Sequence, residues 1–202
     1  MSTTLILIAI TCAVSLTAMN NPKMIDALIL WPPAVNRRKE YYRLISYGLI
    51  HADFMHLLFN MVTLYFFGRV LEDTYNDAMG PFGFALFYVG GILASILPSY
   101  QKHRNDNSYF SLGASGAVSA VLFAFILFQP WALIYVFVIP VPAIIYAVLY
   151  VAYSIWSERQ GSGRINHSAH LSGAAYGVAF TLIMEPRVLG FFLSQLASPS
   201  FN

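Results

Sequence analysis

Charge is what this chain has least of. Lys, Arg, Asp and Glu together make up 10% of its 202 residues, whereas hydrophobic residue types make up 58%. A soluble domain carries about a quarter charged residues, so the composition excludes an ordinary water-soluble globule and fits a membrane protein. No charged residue occurs in residues 1–22, 78–101, 107–157 or 165–184. Each run reaches the roughly 20 residues needed to cross hydrocarbon. Cysteine is nearly absent: the lone Cys12 excludes an intrachain disulfide and leaves the redox compartment open. The net charge of +2 comes without a basic block, which gives no reason to expect nucleic acid as a partner. No Lys or Arg precedes the first apolar stretch, so it reads as a helix and not as a cleaved signal peptide.

Backbone in lipid must satisfy its own hydrogen bonds, so these runs are expected to be helices. The breaks between them predict six, at about residues 4–19, 54–70, 81–100, 115–128, 131–156 and 167–184. Gln129-Pro130 separates the fourth from the fifth, because proline disfavours helix in the residue before it. Pro140 and Pro142 should kink the fifth. The long connection at residues 20–53 holds Trp31, Tyr41, Tyr42 and Tyr47, which suit a position along the membrane surface. A polar loop at residues 157–164 leads into the sixth helix. The expected fold is all-α: one polytopic domain of six transmembrane helices over residues 1–202, without internal repeat.

Lys23, Arg37, Arg38, Lys39, Arg43, Lys102, Arg104, Arg159 and Arg164 fall on the side of the first, third and fifth connections. Only Arg69 and Arg187 fall on the side of the termini, so a positive-inside count places both termini outside.

Four polar residues stand out against this apolar background. Ser115 lies in Gly113-Ala114-Ser115-Gly116 at the start of the fourth helix, and His170 lies in Ala169-His170-Leu171-Ser172-Gly173 on the sixth. Such groups are expensive at membrane depth, which makes them functional candidates: a serine nucleophile and its histidine base. His56 and Asn60 share one face of the second helix at i, i+4 spacing. With the Ser115 N–H, which lacks an intrahelical partner if the serine opens its helix, they can donate to a developing oxyanion. Gly116 can face Gly173 and Gly177, whose spacing is that of small residues at close helix contacts. Taken singly, each motif has a plainer reading: Gly113 to Gly116 as packing surface, His56 and Asn60 as interhelical bonding, His170 as part of a wet or proton-conducting path. His51 and His167 read as wet interfacial residues.

Other hydrolytic chemistries are missing their motifs. Residue 117 is Ala where a nucleophile elbow needs Gly, and no His-Glu-x-x-His occurs for a zinc protease. The pairs His51/His56 and His167/His170 lack a third ligand of suitable geometry, so no metal and no cofactor are expected. A Ser–His pair usually has a carboxylate orienting the histidine, yet no Asp or Glu lies within the late helices.

Together and in this order, the motifs resemble the rhomboid family of intramembrane serine proteases. The likeness runs over about residues 41–185 and includes Tyr42-Arg43-Leu44-Ile45 and His51 upstream. It implies a catalytic Ser115/His170 dyad, an oxyanion hole from His56, Asn60 and the Ser115 amide, and single-pass transmembrane proteins as substrates within the lipid bilayer. It also implies a site opening to the side of the first, third and fifth connections. In bacterial relatives that side is non-cytoplasmic, the reverse of the charge count. The expected location is a bacterial inner (cell) membrane. One departure is visible: many members carry an aromatic four residues after the serine, stacked on the histidine, and here that residue is Ser119. Tyr176 or a neighbouring aromatic is then expected to hold His170. Two alternatives stand beside the protease: an inactive rhomboid-like membrane adaptor, and a small transporter or proton-path protein.

Overall fold

The first helix, α1 (Thr3–Met19), begins under a carboxylate from elsewhere in the chain. Glu72 accepts the N–H groups of Thr3 and Thr4 and the hydroxyl of Ser2, which satisfies donors that a helix N-terminus leaves open. The computed structural model describes residues 2–136, 138–160 and 165–199, so the predicted polar loop at 157–164 lies partly outside the described residues.

The long first connection is folded. It forms α2 (Pro22–Leu28), α3 (Pro32–Arg38) and α4 (Arg43–Ser46), followed by a 3-10 turn at Tyr47–Leu49. Proline at the first turn suits α2 and α3, since its missing N–H would have no partner there anyway. Arg43 is buried and donates to the carbonyls of Asp26 and Ile29 while pairing with Glu40. One arginine thus ties three points of the connection together.

Asp53 caps the next helix by accepting the His56 N–H at 2.8 Å. That helix runs as α5 (Phe54–Thr63), a π turn (Leu64–Gly68) and α6 (Arg69–Met79), continuous over 26 residues. It runs past the predicted end at residue 70, and Glu72 within the extension caps α1. α7 (Gly83–Lys102) follows, its first turn held by Asn76 Oδ1. α8 (Ser115–Phe128) is the central element, buried at every residue from Gly116 to Leu127.

The predicted fifth helix starts late. Residues Leu133–Val136 (β1) and Ile139–Pro142 (β2) pair antiparallel, with Leu133 opposite Pro142, and α9 (Ala143–Gln160) begins only after them. Pro140 and Pro142 therefore do not kink a helix. Each removes a donor and biases the residue before it to extended backbone, which prevents helix in that stretch and is tolerated in an edge strand. The all-α expectation is corrected to a mostly helical fold with one short hairpin. α10 (His167–Met184) occupies the predicted sixth position and turns by 113° into α11 (Arg187–Ala197).

The expectation of six membrane-crossing helices is not met by length and composition. Among the described residues, Phe54–Met79 and Gly83–Lys102 are long and apolar enough, with a third span if α10 and α11 count as one bent unit. Thr3–Met19 and Ser115–Phe128 are apolar but have only 17 and 14 residues. At 1.5 Å per residue, the latter is about 21 Å long against a hydrocarbon core of about 30 Å.

α8 and α10 touch through backbone. A Cβ built at Gly173 would overlap the Gly116 carbonyl oxygen, and one at Gly177 would overlap that of Ala120. These glycines set how near the first turns of α8 and α10 can come, and those turns carry Ser115 and His170.

Candidate active site

Ser115 is the first residue of α8, and His170 lies in the first turn of α10. The seam of glycines brings them together: His170 Nε2 stands 2.7 Å from Ser115 Oγ. For Nε2 to accept the serine proton, the neutral ring must carry its own proton on Nδ1.

The turn before the serine is shaped by Gly113, whose φ of 109° disfavours any side chain. A Cβ there would also meet the His56 ring, 2.6 Å from Cε1. Gly113 N–H donates to the Tyr47 carbonyl at 2.9 Å, and Ser111 pairs with Leu30 through two backbone hydrogen bonds. The folded first connection thereby fixes the turn that leads to Ser115. The N–H of Ser115 falls within the first turn of α8, where helix geometry supplies no partner and the helix dipole favours negative charge.

His56 and Asn60 both line the same cavity as Ser115 and His170. Asn60 Nδ2 donates to the His56 carbonyl at 2.7 Å, which leaves its second amide hydrogen for another acceptor. The cavity measures about 1000 Å³, with Gly113, Tyr146 and Tyr150 among its lining residues.

His51 and His167 depart from their expected wet positions, being only 2% and 5% exposed. His51 Nε2 accepts the Ala114 N–H at 3.3 Å, and its Nδ1 lies 3.2 Å from Ser15 Oγ on α1. It braces the serine turn and meets the His56 ring edge-on. Its sequence signals were its place just before the Asp53 cap and its membership of the upstream stretch that carries the resemblance. Burial, followed by the neighbouring His56, lowers the His51 pKa to about 3, so it stays neutral and keeps Nε2 free to accept. His167 meets His170 edge-on at 5.9 Å between centroids. No group of three His, Cys, Asp or Glu side chains comes together among the described residues to hold a metal.

No carboxylate contacts the His170 ring among the described residues. Tyr176, the sequence candidate for steadying it, instead donates to the Phe87 carbonyl and stacks on Phe87. The ring that lies over His170 is Tyr150 of α9, with centroids 6.1 Å apart and planes 22° off parallel. Sequence reading missed Tyr150 because nothing in its local pattern distinguishes it from neighbouring tyrosines.

A family model described as "Rhomboid domain" matches residues 38–187. "RHOMBOID-like protein 12, mitochondrial" of Arabidopsis thaliana is 33% identical, over 72% of this chain and 47% of its own length. "Rhomboid protein 1, mitochondrial" of Saccharomyces cerevisiae is 32% identical, over 68% of this chain and 40% of its own. "RHOMBOID-like protein 5" of Arabidopsis thaliana is 28% identical, over 81% and 50%. The chain spans half or less of the length of these relatives. Two of them carry mitochondrial names, so the expectation of a bacterial inner membrane finds no support in them. The matched domain and the apolar helices make the chain an integral membrane protein.

Proposed function

The chain belongs to the rhomboid family, and we propose that it is an intramembrane serine protease that cleaves single-pass transmembrane proteins with a Ser115/His170 dyad. The observation that carries this reading is the 2.7 Å contact from Ser115 Oγ to His170 Nε2 at the start of α8, facing a large cavity. In this reading the matched domain is a single unit whose helical segments α1, α5–α6, α7, α8, α9 and α10 cross the bilayer.

Ser115 Oγ attacks the scissile carbonyl carbon while its proton passes to His170 Nε2, and the carbonyl π pair moves onto oxygen. The oxyanion is stabilised by the Ser115 N–H and by the His56 and Asn60 side chains. Collapse breaks the C–N bond as His170 returns the proton to the leaving amine. The acyl-enzyme is then attacked by water, with His170 again as base, and Ser115 is regenerated. Both polar partners and water must reach one face of α8, which the cavity provides. No cofactor enters any step.

The test is cleavage of a transmembrane reporter by purified protein in liposomes, compared with Ser115→Ala and His170→Ala. Cleavage by the wild type and its loss in both variants supports the dyad. Equal cleavage by Ser115→Ala sinks it.

A further inference from the structure

A base that works without a carboxylate still has to be held in one orientation. Tyr150 provides a hold from α9. Its ring covers the His170 imidazole at a separation within the range of favourable offset stacking. Its hydroxyl lies 2.6 Å from Ser119 Oγ, and Ser119 donates to the Ser115 carbonyl oxygen at 2.8 Å. Because the single Ser119 hydroxyl proton goes to that carbonyl, the Tyr150 O–H is the donor between the two.

These contacts close a loop. It runs from the Ser115 side chain to His170, across the stacked rings to Tyr150, through Ser119, and back to the Ser115 backbone. Tyr150 is itself confined by Phe123 and Tyr146, at 5.6 and 5.8 Å between centroids. Resting on the protease reading above, we infer that Tyr150 is the positioning residue of His170 and that Ser119 fixes Tyr150 in that role. The Tyr150 hydroxyl is thereby one of the polar ties between α9 and α8.

The full chain is tested in liposomes as Tyr150→Ala, Tyr150→Phe, Ser119→Ala and the Tyr150→Phe/Ser119→Ala double variant. Loss of the ring should lower kcat on the order of tenfold. Tyr150→Phe and Ser119→Ala should each lower kcat by roughly twofold to fivefold, and the double variant should fall no further than the worse single, since both remove one shared bond. A second readout needs no proteolysis: the ¹⁵N resonances of the His170 ring, sharp in the wild type and exchange-broadened in Tyr150→Ala. If Tyr150→Ala does not fold, Tyr150→Phe and Ser119→Ala decide by the same spectrum. An unperturbed His170 spectrum or wild-type kcat in the folded variants overturns the inference. Absent cleavage by the wild type counts against the protease reading alone, and the spectrum still decides on Tyr150.

Discussion

Adding one methyl group at Gly173 should cost catalysis more than it costs the fold. The Cβ of Gly173→Ala would overlap the carbonyl oxygen of Gly116, the residue next to Ser115, and neither backbone has a flexible end that can swing aside. The contact must open by about 1 Å or more to reach ordinary van der Waals separation. Overpacking of this kind costs about 1–3 kcal/mol. For a chain of this size that lowers the melting temperature by about 2–4 °C per kcal/mol. The catalytic consequence is steeper, because His170 sits one turn before Gly173 and moves with it. A misplacement of about 1 Å costs roughly a hundredfold in rate. Gly177→Ala is the control: its Cβ would overlap the Ala120 carbonyl, two turns from His170, with similar strain on packing. Melting curves and reporter kcat on both variants separate the effects. The reasoning fails if Gly173→Ala keeps wild-type kcat, or if Gly177→Ala loses more activity than Gly173→Ala.

Two further outcomes follow from charges placed at helix ends and turns. Glu72→Gln removes the carboxylate that accepts Ser2, Thr3 and Thr4, and should destabilise by about 1–2 kcal/mol. Hydrogen exchange should then quicken at the first amides of α1, and unchanged protection there would refute the cap. Glu40 is held below the ordinary carboxylate range by the hydrogen bond from Arg43, aided by the charges of Arg43 and Arg38. Its folded pKa being lowered, its contribution is complete above the unfolded value of about 4.3 and is lost as pH falls through the folded one. Acid loosening of the first connection should therefore begin below about pH 4 and vanish in Glu40→Gln, as limited proteolysis across residues 20–46 would show.

The parts of the fold that were legible are those where local pattern and tertiary structure agree. The charge-free runs mark α1, α7, α8 and α10, since helix is the only arrangement that satisfies an apolar backbone in lipid. The placement of the candidate residues followed from local pattern in a similar way: Ser115 opens a helix, and His56 and Asn60 share a face by periodicity alone. What was hidden depends on partners distant in sequence. The second helix continues past its predicted end at residue 70, and Glu72 in that extension serves the N-terminus of α1. Pro140 and Pro142 read as kinks because hydropathy ran on through them, whereas they sit in a strand and helix begins only at Ala143. Length and composition support two or three spans among the described residues, fewer than the six that the charge-free runs suggested, because hydropathy does not report whether an apolar helix faces lipid or other helices. Tyr150 reaches His170 only through the crossing of α9 over α8 and α10, and no spacing in the chain encodes that crossing.

The central claim is that His170 turns Ser115 into a nucleophile. Incubating the protein in liposomes with a fluorophosphonate and mapping the adduct by mass spectrometry tests it most directly. The account predicts a covalent adduct on Ser115 in the wild type, and none on Ser115 in a folded His170→Ala variant. Equal labelling of Ser115 without His170, or an adduct on a different serine, would contradict it.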